Sequence, residues 1–260
     1  MHYILFSINY REHEMTKKVF NRIIVTLGLF FLATNVHAYQ LSPLNATYYP
    51  SGVESVKTYK LTNDSDFPIA IEISANKRYI DLNGNEYTEP AMQYFSIQPS
   101  KMIIKPATTQ IVRVQYRGPK TVTKEMAFRI VSEQIPYSRG ASVTSEGQMI
   151  NFLFVYSTAA YVAPSKVIER VEGYVSKVDD RLVITLKNTG SVHQILNSLG
   201  VTLKGDDGSS YTLSDEDVSS VEGVNLLTDS SVCISLEIPK EIEKASSFTV
   251  QIKYDYSYSK

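Results

Sequence analysis

From residue 40 onward the chain is a succession of short runs rich in Val, Ile, Thr and Tyr, separated by Gly, Pro, Asn and Asp, and no segment of it has convincing amphipathic helical spacing. That pattern confines the chain to an all-β fold, because β-branched and aromatic residues suit a pleated surface and the intervening residues suit turns. Ile69-Ala70-Ile71-Glu72-Ile73 alternates, so Ile69, Ile71 and Ile73 share one face of a half-buried strand. Asn83-Gly84 predicts a tight type I′ turn, whose two central residues need positive φ. Strands are expected near residues 40–48, 54–62, 69–79, 93–98 with 102–105, 109–117, 125–135 and 148–162.

Seven short strands in roughly 120 residues match an immunoglobulin-like sandwich. Pro164-Ser165-Lys166 interrupts the pattern, and a second set of runs follows near 167–177, 182–188, 193–204, 210–213, 231–237 and 246–256. The expected organisation is a first sandwich over 39–164 and a second, smaller one over 165–260. A targeting signal precedes them. Lys17, Lys18 and Arg22 form a basic region, Ile23 to Ala33 an apolar core, and Val36-His37-Ala38 a small-residue cleavage site. The apolar core is too short for a bilayer about 30 Å thick. Residues 1–14 read as an over-long start before Met15.

Removing residues 1–38 takes four of the 26 basic and two of the 27 acidic residues, leaving 22 against 25 and a net charge of −3. A near-neutral balance gives no electrostatic case for nucleic acid. Cys233 is the only cysteine, so the fold must hold by burial without an intramolecular disulfide. Its setting, VCISLEI, reads as core. His193 is the only histidine after residue 38, so no double-His or Cys/His constellation can be built, and no HExxH, GxSxG, GxGxxG or P-loop pattern is present. Neither catalysis, a cofactor nor a bound metal is expected. The acidic groups Asp206-Asp207 and Asp215-Glu216-Asp217 read as solvated turns.

The run GQMINFLFVYSTAAYV, Gly147 to Val162, is unusual. It spans 16 residues where strands average roughly 5 to 6. Met149 to Tyr156 are apolar on both faces apart from Asn151. Such a strand suits insertion of alternate side chains into another protein's groove while its backbone extends that protein's sheet.

These residues together resemble the periplasmic chaperones of chaperone–usher pili, which have two immunoglobulin-like domains in an L-shaped arrangement around a subunit-binding cleft. The resemblance covers the chain after residue 38 and is strongest in Glu125-Met126-Ala127-Phe128-Arg129-Ile130-Val131-Ser132-Glu133-Gln134-Ile135-Pro136, followed by the Gly/Ser-rich stretch to Gly147. Glu125, Ala127, Ile135 and Pro136 fit the family pattern. Met126, Arg129, Val131, Ser132 and Tyr137 depart from the best-known branch and look more like a divergent, non-classical one. The resemblance implies donor-strand complementation, in which a chaperone strand fills the open core of a pilus or fimbrial subunit. The implied donors are Ile150, Phe152 and Phe154, with Tyr156 on the same face. The family also anchors the subunit's C-terminal carboxylate with a cleft Arg and Lys. The matching positions here are Asn45 and Ala159, so Arg129 is the candidate replacement, with Arg113 and Arg117 in reserve. The implied partners are subunits and an outer-membrane usher, with no nucleic acid and no stable membrane insertion. A second copy capping the exposed strand is a further candidate partner. The rival reading is an exported two-domain adhesin or surface-binding module. A carbohydrate-active enzyme would need aromatics clustered around paired carboxylates, and the tyrosines are scattered.

Overall fold

The computed structural model describes residues 39–137 and 153–255. The described residues of the first half form β1 (Gln40–Ser42), β2 (Asn45–Tyr48), β3 (Val56–Asn63), β4 (Ile69–Ile80), β5 (Glu86–Pro90), β6 (Phe95–Gln98), β7 (Lys101–Ile104), β8 (Thr108–Tyr116), β9 (Met126–Ile135) and β10 (Val155–Val162). One sheet has the order β1-β3-β8-β6. The other has the order β2-β10-β9-β4-β5, with β7 also paired to β4. The run expected as one strand over 40–48 is two. Pro43 has no N–H to give a ladder, so pairing stops there and the chain changes sheets. β1 runs antiparallel to β3, and β2 runs parallel to β10.

The two sheets enclose a core in which Tyr48, Tyr59, Tyr116, Phe128, Leu61 and Ile71 are fully buried. Phe95 lies at its centre, with ring centroids 5.4 Å from Tyr48, 5.7 Å from Tyr116 and 5.1 Å from Phe128. Each fully buried large side chain contributes about 1.5–3 kcal/mol. This aromatic packing does the work that a disulfide does in many exported sandwiches. β5 is absent from the sequence reading because EYTEP is exposed along its whole length, with two glutamates and a proline, as suits an edge strand. The Asn83-Gly84 turn is also different from expectation. Only Gly84 has positive φ (+82°), and the turn is a longer loop in which Asp81 Oδ1 accepts from the amides of Asn83 and Asn85 at 2.9 and 2.8 Å.

The second half holds β11 (Val171–Val178), β12 (Arg181–Asn188), β13 (Gln194–Ile195), β14 (Asn197–Gly205), β15 (Ser210–Thr212), α1 (Asp215–Val218), β16 (Asn225–Leu226), β17 (Ser231–Glu237) and β18 (Phe248–Asp255). Its sheets are β11-β12-β17, β15-β14-β18 and the pair β13-β16. They close over a separate core that includes Leu182, Ile184, Leu186, Val201, Leu203 and Ile234. The short α1 starts at a capping box in which Ser214 and Asp217 satisfy each other's backbone amides. Cys233, expected in the core, is only half-buried. It alternates with buried Val232 and Ile234, so it lies on the outer face of β17, where its amide donates to Leu82 O at 2.9 Å. Among the described residues no helix is long and apolar enough to cross a membrane.

Candidate functional site

β10 is paired on one edge with β9 along its whole length, from Val155↔Glu133 to Val162↔Met126. On the other edge β2 covers only Ala159 to Val162. Among the described residues no strand pairs with that edge over Val155 to Thr158. The strand therefore offers an open row of backbone donors and acceptors, which another chain's strand can complete.

Period-2 alternation then divides its side chains. Tyr156, Thr158, Ala160 and Val162 face the first core, and Phe154 packs there as well. Tyr156 meets Tyr39 edge-on at 4.7 Å and donates its hydroxyl to Tyr39 O at 2.5 Å. On the opposite side Leu153 is 47% and Val155 58% exposed. The expected donors Phe154 and Tyr156 are thus committed to their own core, and the apolar face open to solvent is the one that carries Leu153 and Val155. Sequence bulk pointed to the larger side chains, but a sandwich core needs the same bulk. Ile150 and Phe152 lie outside the described residues.

A cleft of about 570 Å³ begins where β2 joins β10, with Asn45, Lys57, Ala159, Tyr161, His193 and Asn225 among its lining residues. Asn45 and Ala159, the neutral residues named from the resemblance, are register partners. Lys57 is held in an ion pair with Glu54.

Arg129 is in the same cross-strand row, opposite Ala159 on one side and Asn76 on the other. Its guanidinium already grips a carboxylate: Nε donates to Glu86 Oε1 at 2.7 Å and Nη2 to Glu86 Oε2 at 2.5 Å. Arg78, whose side chain is only 8% exposed, donates Nε to the same Glu86 Oε2 at 2.6 Å and Nη1 to the Tyr161 hydroxyl at 3.0 Å. Burial alone would raise the Glu86 pKa, but the hydrogen bonds and charges of Arg129 and Arg78 outweigh it and hold the carboxyl below its ordinary value. The Arg129 pKa moves up in response, chiefly through its hydrogen bond to Glu86. Two cations share one anion, so the cluster keeps a net positive charge beside the cleft.

The cluster continues into the second half. Asn225 Nδ2 donates to the Tyr161 hydroxyl at 2.8 Å, and the Tyr161 ring stacks on His193 with centroids 4.2 Å apart and planes 12° apart. Buried Glu125 accepts from the His193 amide at 3.1 Å, with His193 Nδ1 2.7 Å from the same Oε1. Its backbone N–H donates to Ser191 O at 2.8 Å, and its carbonyl accepts from Thr228 Oγ1 at 3.1 Å. Ala127, Tyr161 and Leu227 form a small apolar cluster across the same junction. Glu86, Arg78, Tyr161 and Glu125 were not singled out as a group from sequence. The available signal was an acid followed by an apolar run at Glu125 and the lone His193, 68 residues apart. Arg113 and Arg117 do not join the site. Arg113 is on β8, exposed in the other sheet opposite Thr58, and Arg117 follows that strand and donates to Gln115 at 3.3 Å. Among the described residues no group of three or more His, Cys, Asp or Glu side chains could hold a metal ion.

The described residues thus form a β-rich chain with two separately cored halves, an open strand edge and a polar cleft beside it. The family model for the N-terminal domain of pili and flagellar-assembly chaperones, the PapD type, matches residues 48–167. Over those residues the chain carries a domain of the pilus-assembly chaperone type. Among solved structures it is similar to CfaA, the chaperone of class 5 fimbriae, at 15% identity, covering 84% of this chain and 100% of that one with a TM-score of 0.54. It is also similar to a chain of a chaperone–tip adhesin complex of CFA/I fimbriae biogenesis, at 14% identity, covering 83% and 97% with a TM-score of 0.51. At such identities the likeness is one of fold. Among curated proteins no sequence matches.

Proposed function

We propose that this protein is a periplasmic chaperone that holds pilus or fimbrial subunits by donor-strand complementation and passes them to an outer-membrane usher. The observation that carries the reading is the open edge of β10 over Val155 to Thr158, next to exposed Leu153 and Val155. A subunit that lacks a strand gains backbone pairing from that edge and an apolar filling from that face. Burying the two side chains contributes about 1.5–3 kcal/mol each. The donors of this reading are therefore Leu153 and Val155 among the described residues. Arg129 is the proposed anchor for the subunit's terminal carboxylate, because it shares a row with Asn45 and Ala159 and because the cluster's second cation leaves Glu86 over-subscribed.

The test is co-expression with a pilin subunit and measurement of complex recovered from the periplasm. Leu153→Asp and Val155→Asp should abolish the complex while circular dichroism of the free protein stays unchanged. A subunit held as firmly by these variants as by the wild type would refute the donor assignment. Unchanged complex with Arg129→Ala would remove the anchor role alone. The adhesin reading has no specific observation in its favour.

A further inference from the structure

The two sheets of the first sandwich carry very different charge. β2, β4, β5, β9 and β10 include Glu72, Glu86, Glu89 and Glu133 beside Lys77, Arg78 and Arg129. β1, β3, β6 and β8 include no Asp or Glu at all. The register of this acid-free sheet places Ser42, Lys60 and Ile111 in one outward row and Thr58, Arg113 and Gln98 in the next. Arg117 continues the face beyond β8, bonded to Gln115. Among the described residues Lys60, Arg113 and Arg117 have no acidic partner. Ile111, 54% exposed, lies among them. The acids bonded to this sheet come from outside its strands: Glu54, paired with Lys57, and Asp64, which accepts from Gln40 at 2.6 Å. Acids are therefore kept off the strands of this sheet, whereas cations occur on both sheets.

We propose that the outer face of the β1-β3-β8-β6 sheet is a docking surface for an acidic segment of another protein. Guanidinium groups bind carboxylates through paired hydrogen bonds, the Thr and Gln side chains can meet a partner's backbone, and Ile111 supplies an apolar centre. An anionic membrane is the other surface that would suit a basic face. Lipid-binding patches, however, use clusters of about 4–8 Lys and Arg, and this face has three cations spread over a row of Thr, Gln and Ser. The surface lies on the sheet opposite the open edge of β10, so it is independent of subunit binding.

The experiment measures fluorescence anisotropy of a labelled peptide of alternating Glu and Thr with the full exported protein, at low and at physiological salt. The same peptide with Gln for Glu and vesicles of phosphatidylglycerol in phosphatidylcholine are measured in parallel. Salt-sensitive binding of the acidic peptide is expected. It should weaken by about an order of magnitude when Lys60→Glu and Arg113→Glu are combined, and stay unchanged with Lys204→Glu on the second sandwich. Equal binding by the doubly reversed variant, equal binding of the Gln peptide, or binding of vesicles without binding of the peptide would each overturn the proposal.

Discussion

Glu86→Gln tests the logic of the cluster beside the cleft. The wild-type carboxylate accepts three charge-assisted hydrogen bonds, two from Arg129 and one from Arg78. Glutamine keeps one acceptor oxygen, brings an amide that faces a guanidinium N–H, and leaves two like charges side by side. Removing one partner from a buried pair costs about 3–5 kcal/mol. Arg78 is buried to that degree, but the side chains of Arg129 and Glu86 are 20% and 29% exposed, and solvent screens part of the loss. The expected cost is about 2–4 kcal/mol, or a drop of about 5–12 °C in Tm for a chain of this size. The pH dependence supplies the sign. The Glu86 pKa is depressed in the folded state, so the stability it contributes is complete above the ordinary glutamate range near about 4.3 and is lost as pH falls through the lowered value. Thermal melts at neutral and acidic pH should therefore show a wide gap between wild type and variant that closes on acidification. A variant within about 0.5 kcal/mol of wild type at neutral pH, or a gap that does not change with pH, would refute the argument.

Three further outcomes follow from the same geometry. Phe154→Ala should destabilise the free protein by about 2–3 kcal/mol in urea titrations because Phe154 packs on the first core, whereas Val155→Asp should move it by less than about 0.5 kcal/mol because that side chain is exposed. Tyr161→Phe should cost about 1–2 kcal/mol by leaving Arg78 Nη1 and Asn225 Nδ2 without their shared acceptor, and proteolysis should then cut the junction between the halves faster. Gly84→Ala should cost about 1–2 kcal/mol by calorimetry, since Gly84 has φ +82° and an added Cβ would sit 3.2 Å from Val224 Cγ2.

The all-β architecture was legible because alternation at Ile69–Ile73 and the spacing of turn residues are local signals. Most strands lie within two residues of where those signals put them. The run expected over 193–204 is two strands in different sheets, and that expected from 167 starts at Val171. Three other exceptions have local causes. Pro43 splits one run, exposed EYTEP lacks the apolar alternation that marks a strand, and β16 is too short to carry a period. The site was legible only in part, and the reason is the difference between position and direction. Counting along β10 shows that Phe154 and Tyr156 share a face, and Leu153 and Val155 the other. It does not show which face meets the core, because that depends on Tyr39, 117 residues earlier, which takes up the Tyr156 hydroxyl.

The anchor behaves similarly. The resemblance put Asn45 and Ala159 at the places expected for a basic pair, and the two are register partners. Arg129 then follows as their neighbour in the row. What no local pattern could show is that Glu86, 43 residues away on an edge strand, already occupies Arg129. On the proposed anchoring role, an incoming carboxylate would share or displace an internal one. Since Arg78 also holds Glu86, Arg129 can release it without leaving that acid unpaired, whereas a lone Arg–Glu pair could not. On that proposal Arg78, through its bond to Glu86, sets how readily Arg129 binds a client carboxylate. Arg78→Met should tighten the Arg129–Glu86 pair and weaken subunit capture, measured as recovered complex, even though Arg129 itself is intact. Undiminished capture by that variant would mean that the client's carboxylate is held elsewhere in the cleft.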